Sequence, residues 1–364
     1  MLLWTGVSLL VVGLVATGTA IAMYRHYNGQ VTRVHGVISS PGPSESPVRR
    51  ADGSTAAAAA AAENFLIVGS DSRQGANRRL PHTGGESCHC ADTIVVAHVP
   101  EGHAKAVLVS IPRDSWVRVP AYTTPTGARI EPRETKVNAA LAIGGPGLLV
   151  RTVEALTGLH IHHYVQVDFA GFVDTVNAID GVDVCLTAPA QDWHTGIDLA
   201  AGRHHLNGAG ALAYVRQRHG LPNGDLDRIK RQQAVMRQII DKVMRAGILL
   251  HPVQLTRFLD VVTKSVTVDD QLSLGDMRRL ASTFRGLDTG NVRFLTVPVA
   301  DESGVREGQS VVLLDEPKLD ALFDRIATGS ATDGDKKPGG RDADRGATPS
   351  PSRNTGGGGV PCLP

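Results

Sequence analysis

Three charged side chains stand at the ends of predicted strands near the start of the folded part of the chain. Three short apolar runs have the length and composition of buried strands: 64–68, 93–99 and 106–111. Asp71 follows the first run, Asp92 precedes the second and Arg113 follows the third. If the strands run up, down and up, two carboxylates and a guanidinium meet at one sheet edge, where ligands of open α/β sheets collect.

This trio of charges is typical of a site for a cation and a phosphate. Carboxylates are brought together when something neutralises them, and a divalent cation of the Mg²⁺ type, with carboxylate, water and phosphate oxygens as ligands, would do so. Each residue taken alone has a simpler explanation. An Asp after a strand is most often a turn residue or a helix cap, and Arg113 can pair with Asp114 at the surface.

A second group of basic residues lies further along the chain. The run 211–215 leads into Arg216 and Arg218, and if it is extended, the period of two aims both guanidinium groups to one side. On a helix that starts near residue 226, Arg228 and Gln232 share a face. Planar guanidinium groups hold phosphate oxygens bidentately. The alternative is a solvated basic face, which is the usual explanation of a charge run.

Composition excludes several classes of protein. The 364 residues carry a formal net charge of +1 and only 4% aromatic residues, which argues against a nucleic-acid coat or a base-stacking platform. Four cysteines in this length exclude a disulfide-dense small fold. The chain has no Gly-x-Ser-x-Gly elbow, Walker loop or His-Glu-x-x-His motif.

The elements that position these residues belong to one α/β domain. Short apolar runs alternate there with helical patterns, which predicts a sheet with helices on its faces. The predicted segments are a transmembrane anchor over 1–24, a tether over 25–62 of low complexity from about 39, the domain over 63–328, and a disordered Gly/Pro-rich tail over 329–364. A cleaved signal peptide is the alternative to the anchor.

The charges around the anchor conflict with an exported domain. Arg25 and Arg33 follow the apolar span and no Lys or Arg precedes it, so the positive-inside rule would keep the bulk of the protein in the cytoplasm. We expect the natural start to lie upstream and to add a basic stretch. The alternative is that the exported domain overrides a weak charge bias.

Seven ordered blocks of this sequence resemble the LytR-CpsA-Psr family of bacterial cell-envelope proteins. They are GSDSR at 69–73, ADTI at 91–94, SIPRD at 110–114, KVNAA at 136–140, HHYVQVDFAGF at 162–172, AIDGVDV at 178–184 and YVRQR…GDLDRIKRQQ over 214–233. The resemblance implies a three-layer α/β/α domain with a central mixed β-sheet and a deep apolar groove for a polyprenyl chain. It also implies transfer of a glycopolymer from a polyprenyl-pyrophosphate carrier to a peptidoglycan hydroxyl, leaving a phosphodiester.

The resemblance also assigns roles to individual residues. The implied catalytic residues are Asp71, Asp92 and Arg113. The implied pyrophosphate-binding residues are Arg73, Arg113, Lys136, Arg216, Arg218, Arg228 and Gln232. The implied ligands of Mg²⁺ or Mn²⁺ are Asp71, Asp92 and Asp225, the last of which supports the metal or the arginines. This sequence departs from the family at Cys90, where the family often has Arg, so one positive charge is missing near the phosphates.

The family implies partners and a place in the cell. The partners are the polyprenyl-pyrophosphate-linked glycan, peptidoglycan and the membrane, with no nucleic acid. The protein is expected in the cell membrane as a single-pass protein with its catalytic domain outside the cytoplasm. Helices over 147–157 and 169–178 offer apolar walls for the lipid, or else form a closed core. Two rival functions stay open: a non-catalytic scaffold or regulator that binds polyprenyl phosphate, and a hydrolase of the pyrophosphate.

The four cysteines carry a further expectation. Cys88 and Cys90 are separated by one residue, which makes a bridge between them difficult. We expect one of them to pair with Cys185, and Cys362 in the tail to stay free or to pair between molecules.

Overall fold

A seven-stranded mixed sheet forms the centre of the molecule. The computed structural model describes residues 28–38, 62–71, 90–100, 105–124, 126–245, 252–273, 275–276, 291–331 and 361–364. The strands are β1 (Thr32–Val34), β2 (Glu63–Ser70), β3 (Ala91–Val99), β4 (Ala106–Ile111), β5 (Trp116–Val119), β6 (Tyr122–Thr123), β7 (Arg129–Ile130), β8 (Arg133–Lys136), β9 (His163–Asp168), β10 (Val182–Leu186), β11 (Ala190–Asp192), β12 (Ile197–Leu199), β13 (Gly202–Leu206), β14 (Val266–Asp269), β15 (Val292–Thr296), β16 (Val299–Arg306), β17 (Gln309–Leu314) and β18 (Cys362–Leu363). The helices are α1 (Ala139–Thr157), α2 (Phe169–Ala178), α3 (Gly208–Arg216), α4 (Gly224–Arg245), α5 (Pro252–Ser265) and α6 (Glu316–Ala327).

The strand order in the central sheet is β1-β14-β9-β2-β3-β4-β15. β2 pairs antiparallel with β3, and β3 pairs antiparallel with β4. The predicted up-down-up arrangement is therefore confirmed, and the end of β2, the start of β3 and the end of β4 lie at one edge. β2 also pairs parallel with β9, and β4 pairs parallel with β15, so the sheet is mixed.

Both faces of the central sheet are covered, which explains why its strands are continuous apolar runs. Along β2, Leu66 and Val68 belong to the core on one face, while Phe65 and Ile67 pack on the other. The same alternation continues in the neighbouring strands, because successive side chains of a strand point to opposite faces.

Helices α1 and α6 cover the first face. Leu148 and Leu149 of α1 and Phe323 and Ile326 of α6 are buried in the core with the sheet residues. Among the described residues, α1 is the one helix long and apolar enough to cross a membrane. Its buried leucines show that it serves as a core helix of this domain.

Helix α4 covers the second face, and a further helical cluster packs beside it. Met236 and Ile240 of α4 pack against the sheet core that contains Phe65 and Leu108. Helices α2 and α3 share a separate core with the three-stranded sheet β13-β10-β18. The predicted three-layer α/β/α architecture with a central mixed sheet is thus confirmed.

The predicted tether over 25–62 is too long at its beginning. β1 pairs in parallel with β14 at the edge of the central sheet. Val37 and Ile38, just after β1, are buried in the main core. Burial of these apolar side chains binds residues 28–38 to the domain. The predicted span over 1–24 and the low-complexity stretch from 39 to 61 lie outside the described residues.

The predicted disulfide pairing and the predicted tail are corrected together. Cys185 bonds to Cys362, with Cα atoms 4.3 Å apart. β18 pairs in parallel with β10, with Cys185 opposite Cys362 in the register. The expectations that Cys362 is free and that Cys185 pairs with Cys88 or Cys90 are therefore wrong. Cys90 is also disulfide-bonded, and no described cysteine is free. The tail is ordered over 329–331, where Ala331 is buried in the main core, and over 361–364, where β18 and the disulfide fix it to the domain, while 332–360 lie outside the described residues.

Candidate active site

A cavity of about 670 Å³ opens between the central sheet and helices α2, α4 and α5. Its lining includes seven of the residues that the sequence singled out: Asp71, Asp92, Arg113, Arg216, Arg218, Arg228 and Gln232. The ends of the strands bring Asp71, Asp92 and Arg113 together. The segment from the end of α3 into α4 carries the other four residues to the same cavity. The two groups, which are separated by about a hundred residues in sequence, thus share one cavity.

The rest of the cavity wall is apolar. It is formed by side chains of the sheet and of three helices: Ile67, Val167, Phe172, Val235, Met236, Ile239, Phe258 and Val262. The predicted apolar wall over 169–178 therefore lines the cavity. The predicted wall over 147–157 does not, because that segment belongs to α1 on the opposite face of the sheet. The cavity joins a charged region to an apolar one.

Arg113 is the centre of a line of ion pairs. Its Nη1 donates to Oδ1 of Asp92 at very short range, and its Nε donates to Oδ2 of Asp114 at 3.4 Å. Lys136 Nζ lies 3.1 Å from the other oxygen of Asp114. Burial by itself would lower the pKa of Arg113, but Asp92, Asp114 and Asp225 hold that pKa above its ordinary value. Arg113 is thus a fixed positive charge at the sheet edge.

Asp71 has different surroundings from Asp92. Its Oδ1 accepts a hydrogen bond from the backbone N–H of Cys90 at 3.3 Å. Burial and the nearby negative charge of Asp92 raise the pKa of Asp71, against the opposing effects of Cys90, Arg113 and Arg216. A half-buried carboxylate with a raised pKa is a candidate proton acceptor.

Asp225 and Arg228 form a buried pair on the first turn of α4. Arg228 Nη2 lies 2.5 Å from Oδ1 of Asp225. Asp225 Oδ2 and Arg228 Nε are buried and have no hydrogen-bond partner among the described residues. Burial raises the pKa of Asp225, and the charges of Arg228 and Arg113 oppose that rise. Buried polar atoms without partners are costly. Because Arg228 lines the cavity, an anionic ligand there could accept a hydrogen bond from its unpartnered Nε.

Arg216 and Arg218 reach the cavity from a helix end and not from a strand. The predicted strand 211–215 is part of α3, which begins after Asn207, whose side chain caps the helix by accepting from Gly210 N. Ala211, Tyr214 and Val215 bury one face of this helix. The helical period explains that burial, so the segment is not extended and the period of two does not apply to it. The two arginines still line one cavity, because the chain turns extended at residue 217.

An aromatic ring and a buried network hold the arginine segment, and sequence reasoning missed both. Arg216 Cζ lies 4.5 Å from the centre of the Phe169 ring. Between the two arginines, Gln217 accepts from Nη1 of the buried Arg231 and donates to the carbonyl oxygen of His219 at 2.9 Å. These contacts join residues far apart in sequence, so no local spacing could have indicated them.

The remaining predicted residues play less direct parts. Lys136 pairs with Asp114, behind Arg113. Gln232 Nε2 donates to the carbonyl oxygen of Val215 at 3.5 Å, which ties α4 to the end of α3. Arg73 lies outside the described residues.

The predicted metal ligands do not form a preformed cage. No group of three or more His, Cys, Asp or Glu side chains in the described ranges could hold a metal ion. Asp71 and Asp92 supply two neighbouring carboxylates, while Asp225 is occupied by Arg228. Two carboxylates fit a hard cation that takes its other ligands from phosphate oxygens and water.

Comparison with known proteins shows which family profile this chain matches and which proteins are similar to it. Residues 24–328 match the profile of the LytR_cpsA_psr family. The cell wall biosynthesis protein LcpA of Corynebacterium glutamicum is 35% identical over 291 residues, which cover 73% of this chain and 56% of that protein. A polyisoprenyl-teichoic acid–peptidoglycan teichoic acid transferase, TagU of Enterococcus faecalis, is 33% identical over 197 residues, or 54% of this chain and 59% of that protein.

A solved structure shares the fold. The LytR-Csp2A-Psr enzyme from Actinomyces oris superposes with a TM-score of 0.61 at 20% identity, covering 82% of this chain and 96% of that one. The match to LcpA thus spans little more than half of that relative's length, whereas the match to this structure spans nearly all of it.

Proposed function

The chain belongs to the LytR-CpsA-Psr family, and on that basis we propose that it is a phosphotransferase of cell-wall assembly. Its donor is a glycopolymer linked to a polyprenyl-pyrophosphate carrier, and its acceptor is a hydroxyl group of peptidoglycan. The product is a phosphodiester between the two polymers. The names of LcpA and TagU, a cell wall biosynthesis protein and a teichoic acid transferase, support the same class of activity.

The observation that carries this proposal is the two-part cavity. A polyprenyl pyrophosphate has a doubly charged anionic head and a long apolar tail. The arginines Arg113, Arg216, Arg218 and Arg228 line the same cavity as the apolar side chains of α2, α4 and α5. Guanidinium groups hold phosphate oxygens bidentately, and burial of each CH₂ group of the lipid contributes about 0.8 kcal/mol. One cavity therefore suits both halves of the carrier.

The residues around the phosphate carry out the transfer. The acceptor hydroxyl attacks the phosphorus that bears the glycan, its proton passes to a carboxylate, and the bond to polyprenyl phosphate breaks. We assign the proton to Asp71, because Asp92 is engaged by Arg113 and burial raises the pKa of Asp71. The arginines stabilise the negative charge that develops on the phosphoryl oxygens and on the departing polyprenyl phosphate.

A divalent cation fits this chemistry. We propose that Asp71 and Asp92 hold Mg²⁺ or Mn²⁺ together with phosphate oxygens, and that Asp225 acts through Arg228. Such an ion would supply further neutralisation of the pyrophosphate.

We further propose a membrane-anchored protein whose domain lies outside the cytoplasm. The span 1–24 would be the single anchor, close to the lipid carrier. The Cys185–Cys362 bridge, with no free cysteine among the described residues, supports an oxidising compartment.

One experiment separates transfer from the two rival functions. The full chain in detergent is incubated with labelled lipid-linked glycan and Mg²⁺, with and without peptidoglycan. A transferase moves the label to peptidoglycan only when the acceptor is present. Release of soluble phosphorylated glycan in both samples would identify a hydrolase, and binding without any product would identify a scaffold. Either of these results would overturn the proposal.

A further inference from the structure

Three aromatic rings form a row at the rim of the cavity. Trp193 and His194 lie in the turn between β11 and β12, with ring centres 3.4 Å apart. The His194 ring stacks on the ring of His219, with centres 4.4 Å apart and planes 24° apart. His194 and His219 line the cavity beside Arg218. The row thus starts at the phosphate-binding arginines and ends at Trp193 in solvent.

Trp193 is unusually exposed. Its side chain is 83% exposed, and the one other exposed large apolar side chain of the described residues is Val305, on the hairpin β16–β17. A tryptophan this exposed buries little apolar surface and so contributes little to the stability of the fold. What distinguishes Trp193 from a single exposed apolar residue is its place at the end of an aromatic row that leads into the cavity, where aromatic side chains commonly contact ligands.

A buried carboxylate makes the row rigid. The Asp192 side chain is 1% exposed, and its Oδ1 accepts from the backbone N–H of His194 at 2.9 Å. Its Oδ2 accepts from the backbone N–H of Arg218 at 3.3 Å and lies 3.4 Å from Nδ1 of His219. Asp192 therefore fixes the turn that carries Trp193 to the segment that carries Arg218. A preorganised aromatic surface of this kind costs little entropy when a ligand binds.

We propose that Trp193, His194 and His219 form a saccharide subsite that stacks against the apolar C–H face of a pyranose ring. The inference rests on the proposed function, because both substrates of that reaction carry sugars. The face of an aromatic ring is electron-rich, and the axial C–H groups of a pyranose present weakly positive hydrogens to it. The same chemistry fits the first sugar of the lipid-linked donor and a sugar of the peptidoglycan acceptor.

The polar surroundings of Trp193 favour a sugar over a lipid surface. Gln191 and Asp198 face each other on the same hairpin, and Gln191 donates to Asp198 at 2.9 Å. A membrane-inserting loop would present several apolar side chains together. A sugar needs one apolar platform with hydrogen-bonding groups beside it.

The test measures binding and not turnover. Calorimetric titration of the full chain in detergent uses three probes: polyprenyl pyrophosphate without sugar, polyprenyl-pyrophosphate-linked disaccharide, and a soluble peptidoglycan disaccharide-peptide. The variants are Trp193→Ala, Trp193→Phe and His219→Ala. Val305→Ala is the matched control, because it removes the other exposed apolar side chain.

We expect Trp193→Ala to weaken binding of one sugar-bearing probe by about tenfold, the effect of losing one stacked aromatic contact. Trp193→Phe should recover much of the loss, and sugar-free carrier should bind as it binds the parent. Loss confined to the disaccharide carrier assigns the subsite to the donor, and loss confined to the soluble fragment assigns it to the acceptor. Unchanged binding of both sugar probes, or an equal loss with sugar-free carrier, would overturn the proposal. Failure of transfer alone would leave these affinities measurable, so it would count only against the proposed function.

Discussion

At the scale of single residues, the two aspartates at the sheet edge differ in what holds them. Asp92 is engaged in an ion pair with Arg113, whereas Asp71 receives one backbone hydrogen bond from Cys90. The first carboxylate therefore positions a positive charge, and the second is free to exchange a proton. Their substitution should have different consequences for binding and for chemistry.

Asp71→Ala should lower the transfer rate by about 10²–10⁴-fold, the usual contribution of a general base, while carrier binding measured without a divalent cation stays close to that of the parent. Asp92→Ala should weaken carrier binding as well, because it leaves Arg113 without its main partner. Single-turnover transfer and carrier titration check both. Asp183→Ala is the control, since Asp183 is exposed and its ion-pair partner among the described residues is the equally exposed His205. Full activity of Asp71→Ala at saturating substrate would contradict the assignment.

Arg216 and Arg218 should act as a coupled pair. Each charge-assisted contact to the pyrophosphate is worth roughly 1.5–3 kcal/mol, so each Ala variant should bind carrier about ten- to a hundredfold more weakly. Arg→Lys should recover only part of this loss, because Lys has no planar fork. At Arg216 it would also lose the contact with Phe169.

The double Ala variant provides the test of coupling. If both arginines grip the same pyrophosphate, its loss should differ from the sum of the single losses. Arg306→Ala, on an exposed strand, is the control. Carrier binding by Arg216→Ala and Arg218→Ala equal to that of the parent would show that the pair is only surface charge.

At the scale of elements, the short strand β18 supports the arginine segment from behind. It is held to β10 by pairing and by the Cys185–Cys362 bridge. The carbonyl oxygen of Pro364 accepts from Nε of Arg231 at 2.8 Å, and Arg231 in turn donates to Gln217. A chain segment remote in sequence thus braces the residue between Arg216 and Arg218.

Cys362→Ser should lower the free energy of unfolding by about 2–4 kcal/mol, because the bridge closes a very long loop. Carrier affinity should fall as well, since Arg231 loses one of its acceptors. Thermal and urea unfolding with and without reductant check the first effect. The double variant Cys185→Ser/Cys362→Ser is the control and should lose no more than the single one. An unchanged unfolding midpoint in Cys362→Ser would refute the bracing role.

At the scale of the whole molecule, the side chains at the two ends of strand β2 have different chemistry. The acidic and basic residues of the candidate site lie where β2 ends. Where β2 begins, Asn64 N donates to Nδ1 of His162 at 3.1 Å, and Asn64 Oδ1 lies 2.7 Å from Nδ1 of His98. Burial, together with His160, His163 and His98, lowers the pKa of His162 from 6.5 to about 4. Folding therefore favours the neutral form of His162, whose Nδ1 accepts the hydrogen bond from Asn64 N.

Stability should fall as the solution becomes acidic. The unfolded chain binds a proton at His162 near pH 6.5, whereas the folded protein does so only near pH 4. Between these values the unfolded state holds more protons, so the contribution of His162 is full above pH 6.5 and is lost as pH falls toward 4. Urea unfolding midpoints, measured about every half pH unit between about pH 7.5 and 4.5, give the slope of stability against pH. His162→Gln should flatten it, and the exposed control His205→Gln should not; equal slopes in all three proteins would contradict this account.

The sequence by itself determined the sheet edge and its charges. The apolar runs around Asp71, Asp92 and Arg113 predict the strands, because the length and the continuous apolar composition of a strand buried on both faces are local properties. An antiparallel succession then places the three residues together. The ordered blocks identify the family, and the helical spacing of Arg228 and Gln232 predicts their shared face. These features need only neighbours in sequence.

Tertiary structure decided the features that depend on distant contacts. Residues 211–215 form a short, mostly apolar run that suits a strand or a helix, and packing against α2 and α4 selects the helix. Cys185 pairs with Cys362 across 177 residues, which no spacing predicts. The rings of Trp193 and His219 meet on a surface made by two separate turns. Each outcome is set by the burial of apolar area and by hydrogen bonds between segments that come together only in the folded chain.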